Sequence, residues 1–325
     1  MSIGLAIILI IIGFVLLVKG ADWLVKAATS IAKKFNLSEI LIGLTIVAIG
    51  TSLPEIFITI TSAIDGHSDL IIGNAVGSCI CNFLLVIGLT SLVKPVRLDK
   101  RIVKRHLPIG LAAMVLLLFL GNTNKFGNAH SITRWQGVIL LLCTVAYILY
   151  TIHEEKVIKN KKIDEEVIKD VQIKGKHSVG IIIVYMILGI LGLKFGADLV
   201  VDNSILIAES FGLSEKFIGM TVVAIGTALP EIMTGIIAAK NDETDLLLGN
   251  ISGSNILNLC FLIGLGAVIN PLTFITDFNS SILMLMSITI FMQLLATVNK
   301  KSELNRRRGF SLIIVYILYI GSMLV

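Results

Sequence analysis

The chain has 325 residues, of which 55% are hydrophobic and 15% are charged, and its mean hydropathy is +0.93. Soluble domains of this length do not have such a composition, so the sequence predicts an all-α polytopic membrane protein embedded in a lipid bilayer. The net charge of +5 could suggest a nucleic-acid partner. The basic residues stand between apolar runs, however, where they set membrane topology, and we expect no nucleic-acid binding.

Ten apolar runs are long enough to cross a bilayer. They lie near residues 3–25, 39–64, 69–93, 107–120, 135–152, 179–208, 215–239, 245–269, 280–298 and 309–325. The first run lacks the basic start and the small-residue cleavage site of a signal peptide, so we expect a retained helix. The polar stretch between the fifth and sixth runs divides the chain. The sequence thus predicts a first transmembrane repeat at 1–152, a linker at 153–178 and a second transmembrane repeat at 179–325.

Lysine and arginine are distributed unevenly between the two sides of the membrane. If the N-terminus lies outside, the outer side holds only Lys125, Arg134 and Lys216, and the inner side holds most of the others. Because basic loops remain in the cytoplasm, the sequence predicts a multi-pass protein of the cell membrane with both termini extracellular and the 153–178 linker cytoplasmic. We interpret the acidic cluster at 164–166 as a solvated face; a calcium sensor is the alternative.

One motif occurs twice. Residues Gly43–Glu55 read GLTIVAIGTSLPE, and 176 residues later Gly219–Glu231 read GMTVVAIGTALPE. With this shift the chain aligns with itself from residue 20 to residue 89 without a gap. Each repeat contains an odd number of spans, so the second copy enters the membrane from the opposite side. The sequence therefore predicts inverted-topology five-helix repeats, an architecture typical of transporters that bind their substrate near the bilayer midplane.

Each copy of the motif contains a proline inside an apolar run. Pro54 and Pro230 lack an N–H group and clash with the carbonyl four residues earlier. We therefore expect the second and seventh helices to break there and to free carbonyls around Ala48–Gly50 and Ala224–Gly226. Irregular backbone at this depth is tolerated only where it lines a cavity or a site.

Each copy also contains a glutamate, Glu55 or Glu231. A carboxylate in hydrocarbon is costly and usually faces an ion or a water-filled path. Further oxygen donors follow in both repeats: Thr51, Ser52, Ser78 and Asn82 in the first, and Thr227, Ser254 and Asn258 in the second. Taken singly, these hydroxyls and amides could simply bond to neighbouring helices. Together they form a hard-oxygen set that suits Ca²⁺ better than Mg²⁺, and Na⁺ could use subsets of it.

GTSLPE with GNAVGSCICN, and GTALPE with GNISGSNILN, closely resemble the α-repeats of the calcium/cation antiporter superfamily, above all those of prokaryotic sodium/calcium exchangers. The resemblance implies a central calcium site made by Glu55, Glu231 and the backbone oxygens of Thr51 and Thr227. It also implies flanking sodium sites, made by Ala48, Thr51 and Ser78 on the inner side and by Ala224, Thr227 and Ser254 on the outer side. It further implies that the first and sixth helices slide across a rigid core. We expect no cofactor and no protein partner, and hence a monomer.

Two positions depart from the family pattern. Ala228 stands where the first copy has Ser52, so one hydroxyl is missing. Asn258 stands where some relatives, including potassium-dependent exchangers, carry an aspartate. With amides at both Asn82 and Asn258, we predict no potassium co-transport.

The sequence thus predicts a secondary active antiporter that exchanges Ca²⁺ for Na⁺ by alternating access, with Glu55 and Glu231 as shared ligands. The main alternative is Ca²⁺/H⁺ exchange at the same glutamates. The proline-bearing motif favours sodium, because the proton-coupled branch typically has GN-x-x-E at that place. A cation channel and an intramembrane enzyme are further alternatives. The sequence lacks the zinc motif, the paired catalytic aspartates and the phosphate-binding arginine cluster that an enzyme would need.

Overall fold

A computed structural model describes residues 3–123, 125–126, 129–165, 178–211, 224–298 and 303–323. These residues are almost entirely helical, as predicted. The helices in chain order are α1 (Ile3–Phe35), α2 (Glu39–Thr51), α3 (Leu53–Asp65), α4 (Ser68–Val93), α5 (Ile102–Thr123), α6 (Arg134–Glu165), α7 (Val179–Ser210), α8 (Ala224–Thr227), α9 (Leu229–Lys240), α10 (Thr244–Ile269), α11 (Asp277–Val298) and α12 (Arg306–Met323).

Short strands that the sequence did not predict join the connections of the two halves. They are β1 (Val96–Arg97), β2 (Lys125–Phe126), β3 (Ala129–Ile132), β4 (Leu272–Phe274) and β5 (Glu303–Leu304). β1 pairs antiparallel with β5, and β3 pairs antiparallel with both β2 and β4. Strands of two to four residues are too short to leave an alternating hydrophobic pattern, so sequence reasoning misses them.

Seven of the described helices are each long and apolar enough to cross a membrane, and α2 with α3 could form an eighth span bent by 50°. The fourth predicted span, which looked short, is a full helix of 22 residues, α5. The count of ten stays a prediction, since the first part of the seventh span, through residue 223, lies outside the described residues and α12, the tenth, is not among the helices that meet these criteria.

The fifth helix continues beyond its predicted end at residue 152. α6 extends to Glu165, so the first half of the predicted 153–178 linker is a helical continuation of this span. Glu154 and Glu155 in that continuation are buried against the rest of the protein. Residues 166–177 lie outside the part of the chain that the structure describes, and the domain boundaries there stay predictions.

Helices α4 and α10 occupy the centre of the bundle, and α1 and α7 lie at its edge. In the most apolar stretch of α4 and α10, 72% and 83% of the residues are buried, against 22% and 28% for α1 and α7. α1 and α7 pack chiefly on each other. Gly13 meets Gly196 and Gly20 meets Gly189, so the two helices run antiparallel. We call α1 and α7 the peripheral pair and the remaining helices the core.

Helix α2 crosses α10 at glycines. A Cβ atom added at Gly249 would lie 2.5 Å from the Ile40 carbonyl oxygen, and one at Gly253 would lie 2.8 Å from the Leu44 carbonyl carbon. Only residues without a side chain allow two backbones to approach so closely. This crossing places the end of α2 directly against the polar residues of α10.

Candidate ion-binding site

The bent helix of the first half breaks at Ser52, between α2 and α3. Pro54 lies in the first turn of α3 and has no N–H for the Gly50 carbonyl, which therefore loses its helical partner. The Ser52 N–H still donates to the Ala48 carbonyl at 3.1 Å. The break thus frees the Gly50 carbonyl, whereas the Ala48 carbonyl, also predicted to be free, keeps its backbone hydrogen bond.

The second half breaks in the same place, at Ala228 between α8 and α9. The Ala228 N–H donates to the carbonyl of Ile225, three residues back, at 3.1 Å, so this turn is tighter than the turn at Ser52. Both predicted breaks are confirmed. Glu55 and Glu231 each lie in the first turn of the helix that follows the break. The free N–H groups and the dipole of a helix N-terminus favour negative charge there.

The two glutamates are buried without a basic partner. Glu55 is 1% exposed and Glu231 is 3% exposed. The Oε2 atom of each has no hydrogen-bond partner, and neither carboxylate belongs to any of the ion pairs found among the described residues. The Glu55 and Glu231 carboxylates carry like charges and interact electrostatically with each other. Buried charges need compensation, and a cation between the two motifs would supply it.

The hydroxyls of Thr51 and Ser52, at the break in the first half of the chain, contact α10, which belongs to the second half. Thr51 Oγ1 donates to Asn250 Oδ1 at 3.2 Å, and the hydroxyls of Ser52 and Ser254 lie 3.2 Å apart. All four side chains are buried. Asn250 was not among the predicted site residues. Its signal in the sequence is the Gly-Asn pair that begins GNAVGSCICN and GNISGSNILN.

The amides of the two repeats lie beside this cluster. Asn82 Nδ2 donates to Asn255 Oδ1 at 3.0 Å, and Asn258 is buried with Oδ1 unpartnered. Asn82 and Asn258 both lie in π-helical turns, at 82–86 and 257–262. Such turns widen a helix locally and often mark functional sites. Sequence reasoning missed Asn255, because the matching position of the first repeat is Cys79.

Two threonines extend the polar surface along the helices that begin at the glutamates. Thr59 on α3 and Thr234 on α9 are fully buried, and their hydroxyls have no partner in the described part of the chain. Thr59 lies four residues after Glu55, and Thr234 lies three residues after Glu231, so each is about one helical turn away. They too were missed, because they lie outside the repeated motif. Helical spacing from the glutamates would have found them.

The remaining predicted residues occupy the second break and α4. Ala224 and Thr227 bound α8, which packs against α4, where Ser78 is half-buried. The end of α2 packs in the same way against α10. Each broken helix therefore lies against the asparagine-bearing helix of the opposite half.

The carboxylates, hydroxyls, amides and carbonyls described above all offer oxygen donors, and the Cys79 thiol beside them donates to the Asn255 carbonyl at 3.5 Å. Among the residues that the structure describes, no group of three or more His, Cys, Asp or Glu side chains could hold a metal ion. A cation here would be held by two carboxylates together with hydroxyl, amide and carbonyl oxygens. Ca²⁺ accepts such a flexible hard-oxygen set, and Na⁺ can use part of it.

Comparison with known proteins identifies relatives over nearly the whole length. The family model described as sodium/calcium exchanger protein matches residues 5–153 and 181–325. The putative antiporter CaxA of Alkalimonas amylolytica is 35% identical over 318 residues, which cover 97% of each chain. The sodium/calcium exchanger MaX1 of Methanosarcina acetivorans is 30% identical over 96% of this chain and 97% of its own. A solved structure of the sodium-calcium exchanger NCX_Mj superposes with a TM-score of 0.82 at 32% identity, covering 99% of both chains.

Proposed function

Because the chain belongs to the sodium/calcium exchanger protein family, we propose that it exchanges Ca²⁺ for Na⁺ across the membrane at a site containing Glu55 and Glu231. The family makes it a multi-pass membrane antiporter of cations and not an enzyme. The observation that carries the proposed site is the pair of buried carboxylates, each with an open oxygen and neither paired with a basic side chain in the described structure.

Charge balance provides the coupling. Two carboxylates neutralise one Ca²⁺, and two Na⁺ ions neutralise them equally well. If the ions compete for the same carboxylates, Ca²⁺ leaves when Na⁺ binds, and no separate coupling device is needed. A bare pair of buried carboxylates is unfavourable, so the protein changes conformation most readily when the site is loaded with one ion or the other.

The ligand assignment is the one that the resemblance to the exchanger repeats implies. In this proposal Glu55, Glu231 and the backbone oxygens of Thr51 and Thr227 hold Ca²⁺. Flanking Na⁺ ions use Ala48, Thr51 and Ser78 on one side and Ala224, Thr227 and Ser254 on the other, with Ser52, Asn82 and Asn258 as accessory oxygens. The Thr51 hydroxyl donates to Asn250 of the opposite repeat, which supports placing Thr51 at the site. Hydrogen bonds from Ser52 and Asn82 to α10 support placing these two residues there as well.

Alternating access follows from two inverted repeats. α1 and α7 are equivalent under the 176-residue shift and run antiparallel, as inverted repeats require. In this proposal the peripheral pair moves across the core and exposes the site to each side in turn. The termini lie outside the cell, the 153–178 linker lies in the cytoplasm, and one chain suffices for transport.

Proton coupling is the second candidate function, and the two buried carboxylates with open oxygens favour it as well. An open carboxylate oxygen binds a proton as readily as it binds a metal ion, and protonation of both glutamates also neutralises the pair. The amides at Asn82 and Asn258 leave only two formal charges at the site, so we expect no requirement for K⁺ in either case.

Uptake of ⁴⁵Ca²⁺ into liposomes containing the purified protein tests the proposal. An outward Na⁺ gradient is imposed in one set and an outward H⁺ gradient in another, with the membrane potential clamped in both. We expect uptake with Na⁺ and none with H⁺ alone, and no change on adding K⁺. Uptake with H⁺ alone would move the protein to proton-coupled exchange, and no uptake with either gradient would refute calcium as the substrate.

A further inference from the structure

A three-residue joint, residues 36–38, connects the peripheral pair to the core. α1 ends at Phe35, and Asn36 follows in a left-handed conformation with φ of 51°. The Leu37 N–H donates to the Ala32 carbonyl at 2.8 Å, which is the closing bond of a Schellman motif. Ser38 then caps α2, because its Oγ accepts from the Leu41 N–H at 3.2 Å. The conformational freedom of the joint is thus limited to Asn36 and Leu37.

Glu155 on the extension of α6 holds the capping residue with both carboxylate oxygens. The Ser38 N–H donates to Oε1 at 2.6 Å, and the Ser38 hydroxyl donates to Oε2 at 2.7 Å. The Glu155 side chain is 11% exposed, and Arg101 lies 3.9 Å from it. Hydrogen bonds to a charged acceptor are short and strong, and a carboxylate is favourable at the start of a helix. Glu155 is therefore built to fix the beginning of α2.

The extension that carries Glu155 is itself fastened to the core. The adjacent Glu154 pairs with Arg105 and lies 3.3 Å from His106 Nε2, both at the start of α5. His106 Nδ1 lies 3.0 Å from the Tyr147 hydroxyl of α6. Glu154 therefore ties α6 to α5 within the core, whereas Glu155 ties α6 to the joint. Two neighbouring buried carboxylates thus have different partners.

We propose that Glu155 is a positioning residue for transport, which anchors Ser38 to the core so that α1 moves while α2 stays in place. α2 ends at Thr51 and leads to Glu55, so any drift of its start would displace the ion ligands. The 13 residues of α2, Glu39–Thr51, about 20 Å at 1.5 Å per residue, separate the joint from the break at Ser52. Glu155 therefore touches no transported ion and acts only through the joint. This inference rests on the proposed function.

Loss of the anchor has a distinct kinetic signature. Without Glu155, part of the displacement of α1 is passed on to α2 instead of being taken up by the joint. The site then switches its access from one side of the membrane to the other more slowly. The resting geometry of the site is unchanged, because the α2–α10 glycine crossing still holds it. We expect Glu155→Gln to lower the maximal rate of Na⁺-driven ⁴⁵Ca²⁺ uptake at least fivefold and to leave the half-saturating Ca²⁺ concentration within twofold. Glutamine keeps an acceptor for the Ser38 N–H but loses the charge, so its hydrogen bonds to Ser38 are weaker than those of the carboxylate.

Glu154→Gln is the matched control, since it alters a neighbouring buried carboxylate that does not touch the joint, and glutamine keeps an oxygen for Arg105 so that α6 stays fastened to α5. Its maximal rate should stay within twofold of wild type. Rates are divided by the number of Ca²⁺ sites measured by equilibrium binding on the same preparation, which corrects for inactive protein. Ser38→Ala, which loses only the hydroxyl, should lower the rate about twofold and should add little to Glu155→Gln. It also tests the anchor if Glu155→Gln fails to fold.

Three outcomes would overturn the inference. These are a wild-type rate in Glu155→Gln, an equal loss of rate in Glu154→Gln, or a loss confined to Ca²⁺ affinity. If the wild-type protein itself shows no Na⁺-driven uptake, the proposed function fails together with the inference. Wild-type uptake with an unchanged Glu155→Gln rate refutes the anchor alone.

Discussion

The core crossing of α2 with α10 and the peripheral pair of α1 with α7 both depend on glycine, but they differ in what surrounds the glycines. At the core crossing, the backbone contact is followed at once by buried hydroxyls, amides and carboxylates. In the peripheral pair, the glycines meet glycines, and the outer faces are apolar and exposed. Close backbone approach therefore serves two purposes here: it positions polar ligands in the core and joins two helices at the edge.

Among substitutions that distinguish the core crossing from the peripheral pair, removal of a core carboxylate should reduce ion flux the most. Glu55→Gln and Glu231→Gln keep the shape of the side chain but remove the charge that balances a cation, so each should abolish ⁴⁵Ca²⁺ flux. Asp198→Asn on α7 is the control, because Asp198 forms an exposed pair with Lys194 at 2.9 Å. Such pairs contribute about 0–1 kcal/mol, and the control should retain flux within twofold. Near-normal flux in either glutamine variant would contradict the assignment.

Replacing a glycine by alanine should lower the free energy of unfolding more at the core crossing than at Gly192 of the peripheral pair. A Cβ at Gly253 would lie 2.8 Å from both the carbonyl carbon and the Cα of Leu44, which are backbone atoms that cannot yield. Gly192 has more room than its neighbours in the peripheral pair, since a Cβ there would lie 3.1 Å from the Gly20 Cα, whereas one at Gly20 would lie 2.7 Å from the Leu193 nitrogen. We expect Gly253→Ala to lower the free energy of unfolding by about 1–3 kcal/mol and Gly192→Ala by less. Thermal unfolding in detergent measures both, and equal losses would show that the two crossings are equally rigid.

Replacing the Thr51 hydroxyl at the proposed site should reduce Ca²⁺ affinity more than replacing a buried threonine hydroxyl elsewhere in the core. Thr51→Val removes the hydroxyl that donates to Asn250. A typical hydrogen bond contributes about 0.5–1.5 kcal/mol, so the half-saturating Ca²⁺ concentration should rise about two- to tenfold. Thr289→Val on α11 is the control. Thr289 is also fully buried, but it donates only to the Leu285 carbonyl of its own helix at 2.8 Å. A rise of similar size in the control would assign the effect to packing.

A substitution on the outer face of the peripheral pair should have the smallest effect. Ile8 on α1 is 55% exposed and faces away from α7. Ile8→Leu keeps the volume and the apolar character, and exposed substitutions usually change stability by less than about 0.5 kcal/mol. The uptake rate, the Ca²⁺ affinity and the unfolding temperature should all match wild type. A clear loss of rate would show that this face contacts another protein and not lipid.

The sequence by itself predicted the features that depend on local chemistry. Prolines 54 and 230 break their helices because they lack an N–H group, and the structure has both breaks within two residues of them. Glu55 and Glu231 were identified because a carboxylate is costly in hydrocarbon, and the structure buries both. The membrane character followed from composition. Each of these conclusions needs only the residue and its immediate neighbours.

The tertiary structure alone decided which residues meet. The contacts of Thr51 with Asn250 and of Asn82 with Asn255 join residues far apart in the chain, and they depend on how each helix is rotated in the bundle. The link from Glu155 to Ser38 was hidden for the same reason, and because a run of charged residues at 153–165 resembles a solvated linker. A linear pattern records polarity and spacing. It does not record helix rotation, which is set by close packing at sites such as Gly249 and Gly253.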